Sequence, residues 1–198
     1  ELFDWAEGRA EQPIPSDLPV FRPFMLAHAL EDTKLSLDEF AAEWKWDGIR
    51  VQAVAEGGVR RLYSRTGDDV ATAFPDLLEA LDFHGVIDGE LLVGTPAATG
   101  TFSDLQQRLN RKAVTAKMLQ DYPAYVRLYD ILFEGPEDLR QLGFEERRRR
   151  LEDWYARAKS QRMDLSPMLP FETWGELAEL RNGARENAIE GLMLKRFD

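Results

Sequence analysis

The run Glu43-Trp44-Lys45-Trp46-Asp47-Gly48-Ile49-Arg50 gathers four ionisable side chains within eight residues. In an extended strand, alternation places Glu43, Lys45 and Asp47 on one face and the two tryptophans on the other. Three charged groups then share a surface backed by aromatic rings. Gly48 permits a turn, and Arg50 returns a guanidinium towards the same region. A lysine with an ordinary pKa of about 10.4 is a poor nucleophile at neutral pH, so covalent chemistry at Lys45 requires desolvation or a neighbouring cation to release its proton. Taken alone, the run fits a solvated strand with outward charges better than it fits a nucleophile.

The elements that must position these groups are short β-like runs alternating with amphipathic helices. Strands are expected at Ala42 to Trp46, Arg50 to Ala55, Val59 to Ser64, Gly85 to Val93, Ala124 to Phe133 and Gly191 to Phe197, with Gly57-Gly58 as a hairpin turn. Ser36 with Glu39, Ser103 with Gln106, and Thr173 with Glu176 have the spacing of helix capping boxes, and Asn182-Gly183 fits the end of the last helix. The most charged helix, Phe144 to Lys159, contains Arg147 to Arg150 in succession. Glu145, Glu146, Glu152 and Asp153 flank them at helical ion-pairing distances, which favours a solvated face over a phosphate-binding patch. Pro13, Pro15, Pro19 and Pro23 mark an extended entry segment over residues 1–23, wrapping onto a domain of residues 24–198. Strands in mostly hairpin-like order imply an α+β fold of antiparallel β-sheets flanked by helices, not a doubly wound parallel sheet.

With 198 residues, 44% hydrophobic and 31% charged, the chain has the makeup of one globular domain. It has no cysteine, which excludes disulfides and thiolate metal sites. No apolar run reaches the length of a membrane span, and the acidic first ten residues lack the basic and apolar segments of a signal peptide. A soluble, cytoplasmic protein with no membrane partner is the expectation. The net charge of −11 counts against a broad nucleic-acid face, so phosphate contacts would fall to a local basic patch or to other parts of a longer protein. A start without Met and a stop just after a strand-like run make a longer protein the expectation.

Four further runs change the standing of the first. Lys45 to Arg50 resembles the nucleophile motif of the covalent nucleotidyl-transferases, which comprise DNA ligases, RNA ligases and capping enzymes. Leu62-Tyr63-Ser64-Arg65-Thr66-Gly67 is similar to their second motif and Val86-Ile87-Asp88-Gly89-Glu90-Leu91 to their third. Leu128-Tyr129-Asp130-Ile131-Leu132 is similar to their adenine-stacking strand, and Glu190-Gly191-Leu192-Met193-Leu194-Lys195 to their fourth motif. Five such runs in the right order, from Lys45 to the end of the chain, are not a chance pattern. Arg22 to Ala27, Arg65-Thr66-Gly67 to Phe74-Pro75, and Phe102 to Arg108 most resemble bacterial ATP-dependent DNA ligases. On this ground the chain is identified as a member of that family, corresponding to its adenylation (nucleotidyl-transferase) domain.

The resemblance implies a role for each matching residue. Lys45 attacks the α-phosphate of ATP, pyrophosphate leaves, and the lysyl-AMP then activates the 5′-phosphate of a nick in double-stranded DNA, in replication, repair or recombination. Glu43 accepts a hydrogen bond from the adenine amino group, which favours ATP over GTP because guanine offers a carbonyl there. Arg50 and Arg65 contact ribose and phosphate. Glu90 and Glu190 serve the ribose hydroxyl and a divalent metal, Mg²⁺ or Mn²⁺. Tyr129 stacks on one face of adenine and Met193 packs on the other, with Lys195 sharing the strand parity of Met193. Asp47 gains no chemical role of its own; a side-chain to backbone bond that holds the Gly48 turn is the structural reading of it. His28 and His84 fit no ligand spacing. The family pattern continues into a strand with two phosphate-contacting lysines and an OB-fold domain, neither of which is in this sequence; weak or absent self-adenylation is therefore expected of this chain alone. An RNA ligase or capping-type enzyme, or a non-catalytic nucleotide- or DNA-binding module, are the alternative readings.

Overall fold

The computed structural model describes residues 19–30, 35–109, 111, 113–158, 160–184 and 189–198. Its strands are β1 (Phe40–Trp46), β2 (Ile49–Glu56), β3 (Val59–Ser64), β4 (Gly85–Thr95), β5 (Ala98–Thr99), β6 (Ala124–Glu134), β7 (Glu137–Asp138), β8 (Met163–Leu165), β9 (Met168–Leu169) and β10 (Ile189–Arg196). All six strand-like runs of the sequence form strands. They assemble into a three-stranded sheet, β10-β1-β9, and a larger one in the order β3-β2-β4-β6-β7, with β5 on β4 and β8 on β6. Every pairing is antiparallel except β6 with β8.

The hairpin between β2 and β3 turns at Gly57 and Gly58, whose φ angles of 56° and 77° are those of the two-residue turn that matches strand twist. β4 and β6 are buried on both faces, because helices cover one side and the entry segment and smaller sheet lie towards the other. The helices are α1 (Pro75–Ala80), α2 (Phe102–Gln106), α3 (Ala116–Asp121), α4 (Phe144–Ala158) and α5 (Trp174–Gly183). The main core includes Val51, Leu62, Phe74, Leu77, Leu91, Val126, Leu128 and Leu151. A smaller apolar cluster, Val54, Val86 and Leu132, packs Tyr63 and Phe133 against it. Among the described residues no helix is long and apolar enough to cross a membrane.

Residues 19–30 run without regular structure against β2 and β3. The Arg22 N–H donates to Gln52 Oε1 at 2.8 Å, Gln52 Nε2 donates back to the Arg22 carbonyl at 3.0 Å, and the Tyr63 hydroxyl donates to the Pro19 carbonyl at 2.6 Å. Of the entry segment expected over residues 1–23, only residues 19–23 are described, and these dock through the bonds just given; Pro13 and Pro15 lie outside the described residues.

Two helix starts differ from expectation. Ser36 caps nothing: a three-residue 3₁₀ turn, Leu37–Glu39, passes straight into β1, because Phe40 is already paired with Arg196 of β10. Ser103 lies inside α2, which is capped by Thr101 with Asp104 closing the box; a carboxylate reaching back to the cap N–H outcompetes the Gln106 amide. Thr173 and Glu176 form the expected box, and α5 ends at Gly183.

The arginine run of α4 also departs from a solvated face. Arg149 is exposed and pairs with Glu146 and Asp153, and Arg150 reaches Glu134 and Glu137. Arg147 and Arg148 are only 7% and 8% exposed and turn inward. Successive helix residues rotate by about 100°, so four in a row cannot share one side of a helix. The two facing the sheet meet buried acids, Asp130 for Arg147 and Glu43 for Arg148.

Candidate active site

β1 and β10 fix the nucleophile candidate. Their register sets Lys45 opposite Gly191 and Glu43 opposite Met193, so all four positions lie on one face of the small sheet. The opposite face carries the tryptophans, as alternation requires. Trp46 donates from Nε1 to Ser166 Oγ at 3.1 Å with Arg127 stacked 4.1 Å from its ring centre, and Trp44 lines a cleft with Pro170 and α5. Lys45 is 49% exposed, and its ammonium contacts the Glu190 carboxylate on the neighbouring strand. Beside it, a Cβ added to Gly191 would meet nothing within 4 Å among the described residues, although that backbone is buried. The nucleophile therefore faces a space that its own cross-strand neighbour leaves open.

The turn after β1 brings the larger sheet in. A Cβ on Gly48 would stand 2.5 Å from the Leu91 carbonyl and 2.9 Å from Glu90 Cγ, so only glycine lets the chain pass this close to β4. This close approach shapes the turn; Asp47, just beyond the strand end, forms no side-chain hydrogen bond among the described residues. Glu90, opposite Arg50 in the β2–β4 register, is pushed up to about 8 by burial. Arg50, Lys45 and the Gly48 N–H favour its ionised form without overcoming that penalty, and Asp47 opposes them.

Arg50 donates from Nη2 to Asp88 at 2.9 Å and from Nη1 to the Met25 carbonyl at 2.7 Å. Its guanidinium lies 4.2 Å from the Phe24 ring centre and 5.7 Å from that of Tyr129. Nε of Arg50 is buried and has no hydrogen-bond partner among the described residues, leaving one donor for a bound oxygen to satisfy. Asp88, fully buried, is raised to about 6, again by burial first, with Arg50 and Gln52 opposing. Sequence reasoning gave Asp88 no role. The signal was its parity: it lies two residues from Glu90 on the same strand and therefore on the same face.

Glu43 is 1% exposed. Its carboxylate accepts from Lys195 Nζ at 2.9 Å and from Arg148 Nη1 at 3.3 Å. Burial raises its pKa, Lys195 and Arg148 act against the rise, and Asp130 adds to it. Lys195 also donates to the Tyr129 carbonyl at 3.3 Å and stands 4.8 Å from the Tyr129 ring centre and 4.9 Å from that of Phe144. The Tyr129 hydroxyl is pushed well above its ordinary value by burial and then by Glu90.

Lys45 with Glu190, Glu43 with Lys195 and Tyr129, and Arg50 with Tyr129 are thus brought together across the two sheets, with Met193 beside Glu43 and Glu90 within electrostatic reach of Lys45 and Arg50. Arg65 is the exception. It is exposed in the turn after β3, and no ion pair or hydrogen bond of its side chain is found among the described residues. Arg148 joins the site without any local signal in the sequence, 105 residues from Glu43. The clefts of about 360 Å³ beside Phe83 and Trp154 and about 480 Å³ beside Trp44 contain none of the expected site residues.

Residues 24–198 match the family model described as the ATP dependent DNA ligase domain. The chain belongs to the ATP-dependent DNA ligase family. Similar relatives include the DNA ligases of Thermococcus fumicolans, 33% identical over 97% of this chain and 35% of that protein, and Archaeoglobus fulgidus, 31% identical over 96% and 34%. The chain therefore spans about a third of the length of the curated relatives it matches. Among solved structures, a mycobacterial DNA ligase D complexed with ATP and MES is 30% identical with a TM-score of 0.61, covering 81% of this chain and 49% of that one. A Chlorella virus DNA ligase-adenylate, 16% identical with a TM-score of 0.64 over 90% of this chain and 61% of that one, shares the fold. The α+β architecture expected from the sequence is that of the adenylation domains of this family.

Proposed function

We propose that residues 24–198 form the adenylate-accepting core of a DNA ligase and that Lys45 is its covalent nucleophile. The observation that carries this reading is the placement of Lys45, in a family-matched segment, against Glu190 and facing the open space at Gly191. The unpartnered Nε of Arg50 and the rim of Tyr129, Glu90 and Glu43 supply the groups a nucleotide requires. In the reaction the Nζ lone pair of Lys45 attacks the α-phosphorus of ATP, the bond to pyrophosphate breaks, and one Nζ proton is lost, giving a phosphoramidate of AMP. Lys45 must first separate from Glu190 or pass its proton to that carboxylate. Tyr129 and Met193 sandwich the base, Glu43 accepts from its amino group, and Arg50 directs donors at ribose or phosphate oxygens. Arg65, exposed in the turn after β3, is assigned a phosphate contact by its motif alone.

The donor set for a divalent metal consists of oxygens only, from Glu190 and Glu90. Among the described residues no cluster of three acidic, His or Cys side chains forms a ready-made cage. Two carboxylates suit Mg²⁺ or Mn²⁺, which bind through one or two protein ligands and substrate phosphates, and such an ion supplies charge neutralisation at the phosphate. The activated group then passes to the 5′-phosphate of a nick in double-stranded DNA. Phosphate contacts there draw on basic groups outside this acidic chain, whose net charge is −11. We place the protein in the cytoplasm on the same reading.

Because weak or absent labelling is expected of this chain alone, mass spectrometry after incubation of the purified full-length protein with ATP and Mg²⁺ tests the reaction class. An added AMP on Lys45, absent from Lys45→Ala, is the expected result. Labelling on another residue, or equal labelling of the Ala variant, would overturn the assignment.

A further inference from the structure

Glu43 is a carboxylate with almost no access to water, 1% exposed, on a strand whose next-but-one residue is the nucleophile. A carboxyl in that position tends to take up a proton, because burial penalises the charged form more than the neutral one. The two forms recognise different bases. Ionised, the group accepts hydrogen bonds only and suits the amino group of a 6-aminopurine. Protonated, it offers an O–H and suits the carbonyl of a 6-oxopurine. Whatever holds Glu43 ionised therefore also holds its choice of base.

Two cations surround it, and they are not equivalent. Lys195 Nζ, at 2.9 Å from Glu43 Oε2, is shared with the Tyr129 carbonyl and lies on the groove side, against the Tyr129 ring. Arg148 Nη1 reaches Oε1 at 3.3 Å from behind, out of the body of the protein. Arg148 is itself 8% exposed and is fixed at its other end by Glu152, which accepts from Nε at 2.7 Å. The neighbouring Asp130 is neutralised by Arg147, so Arg148 has no other buried anion to serve among the described residues. A planar fork held at both ends defines the orientation of the carboxylate as well as its charge.

We infer that Arg148 is a positioning residue for base selection: it holds Glu43 as a fixed acceptor and so sets the preference for a 6-aminopurine triphosphate over a 6-oxopurine one. The inference rests on the reading of Glu43 as the base-contacting group, and it adds a residue from α4 that touches neither nucleotide nor reacting atoms. Its side chain acts only through Glu43.

The probe is the ratio of kcat/KM for covalent labelling of the full-length protein by ATP to that by inosine triphosphate, which presents a 6-oxo group and a proton on N1 where ATP presents a 6-amino group and an unprotonated N1. In Arg148→Met the ratio should fall about tenfold, the loss of roughly one charge-assisted hydrogen bond. A purely structural role would lower both rates together and leave the ratio unchanged, which would overturn the inference. Glu43→Gln should lower the ratio as well, and Arg148→Met added to it should lower it no further; a further fall would show that Arg148 acts by another route and would equally overturn it. If Glu43→Gln leaves the ratio at the wild-type value, the reading of Glu43 fails and this inference falls with it. If Glu43→Gln changes the ratio and Arg148→Met does not, only the role of Arg148 is lost. Should Arg148→Met fail to fold, Glu152→Gln carries the test: this half-exposed change releases the far end of Arg148 and should lower the ratio about threefold, and an unchanged ratio refutes the inference.

Discussion

Glu90→Gln removes one strongly perturbed carboxyl with little change of shape, and its consequence can be worked out in advance. Burial raises the folded-state pKa of Glu90 to about 8, from an ordinary value of 4.5. Between these values the unfolded chain carries Glu90 ionised, whereas the folded chain keeps it protonated. The folded state thus binds about one proton more, and its stability falls as pH rises, by about 1.4 kcal/mol per unit. The contribution is complete below the unfolded pKa and is lost as pH passes through about 8. From about pH 6 to about pH 9 the loss attributable to this group is about 2.5 kcal/mol. Asp88, raised to about 6, loses most of its own contribution below that range and is common to both proteins. Urea denaturation at the two pH values, with chelator present so that no metal competes, reads the effect directly. The Gln variant mimics the protonated form, so it should match the wild type only below about pH 4. It should lead by about 2 kcal/mol at about pH 6 and by about 4–5 kcal/mol at about pH 9, a lead that grows by about 2.5 kcal/mol between the two. Equal pH dependence in the two proteins, or a Gln variant less stable at the higher pH, would show that burial does not hold Glu90 protonated.

Other perturbations separate groups that look alike in the sequence. Gly48→Ala places a methyl 2.5 Å from the Leu91 carbonyl, which is backbone and cannot yield cheaply; a loss of roughly 2 kcal/mol in chemical denaturation is expected. Gly191→Ala should leave the melting temperature unchanged, since nothing among the described residues lies within 4 Å, yet lower the rate of Lys45 labelling by ATP by filling the space opposite the nucleophile. Arg147→Met leaves Asp130 buried without its partner and should cost roughly 3 kcal/mol or more in a urea titration, whereas Arg149→Ala, two residues on and exposed, should cost about 0.5 kcal/mol or less. An equal cost for the two arginines would contradict their assignment to the inner and outer sides of α4.

The sequence by itself determined what depends on near neighbours and on order along the chain. Alternation located all six principal strands, the glycine pair located the β2–β3 turn, and Thr173 with Glu176 located the start of α5, because backbone geometry and capping act over a few residues. The ordered motifs identified the family and named Lys45, Glu190, Glu90, Arg50 and Tyr129, which the structure sets near one another in pairs across the two sheets. Spacing alone could not choose between Thr101 and Ser103 as a cap, nor see that β10 would draw Phe40 into a strand where Ser36 promised a helix. Only the tertiary structure decided which charges go inward. Arg147 and Arg148 are indistinguishable from Arg149 and Arg150 by type and by local acidic neighbours, yet their partners lie 17 and 105 residues away, and Lys195 reaches Glu43 across 152 residues. Those pairings, the isolation of Arg65 and the burial that raises Glu90 and Asp88 follow from how two sheets and α4 close on one another. A charge is penalised by the solvent it loses, and which solvent is lost is a property of the packed assembly of elements, not of any one of them.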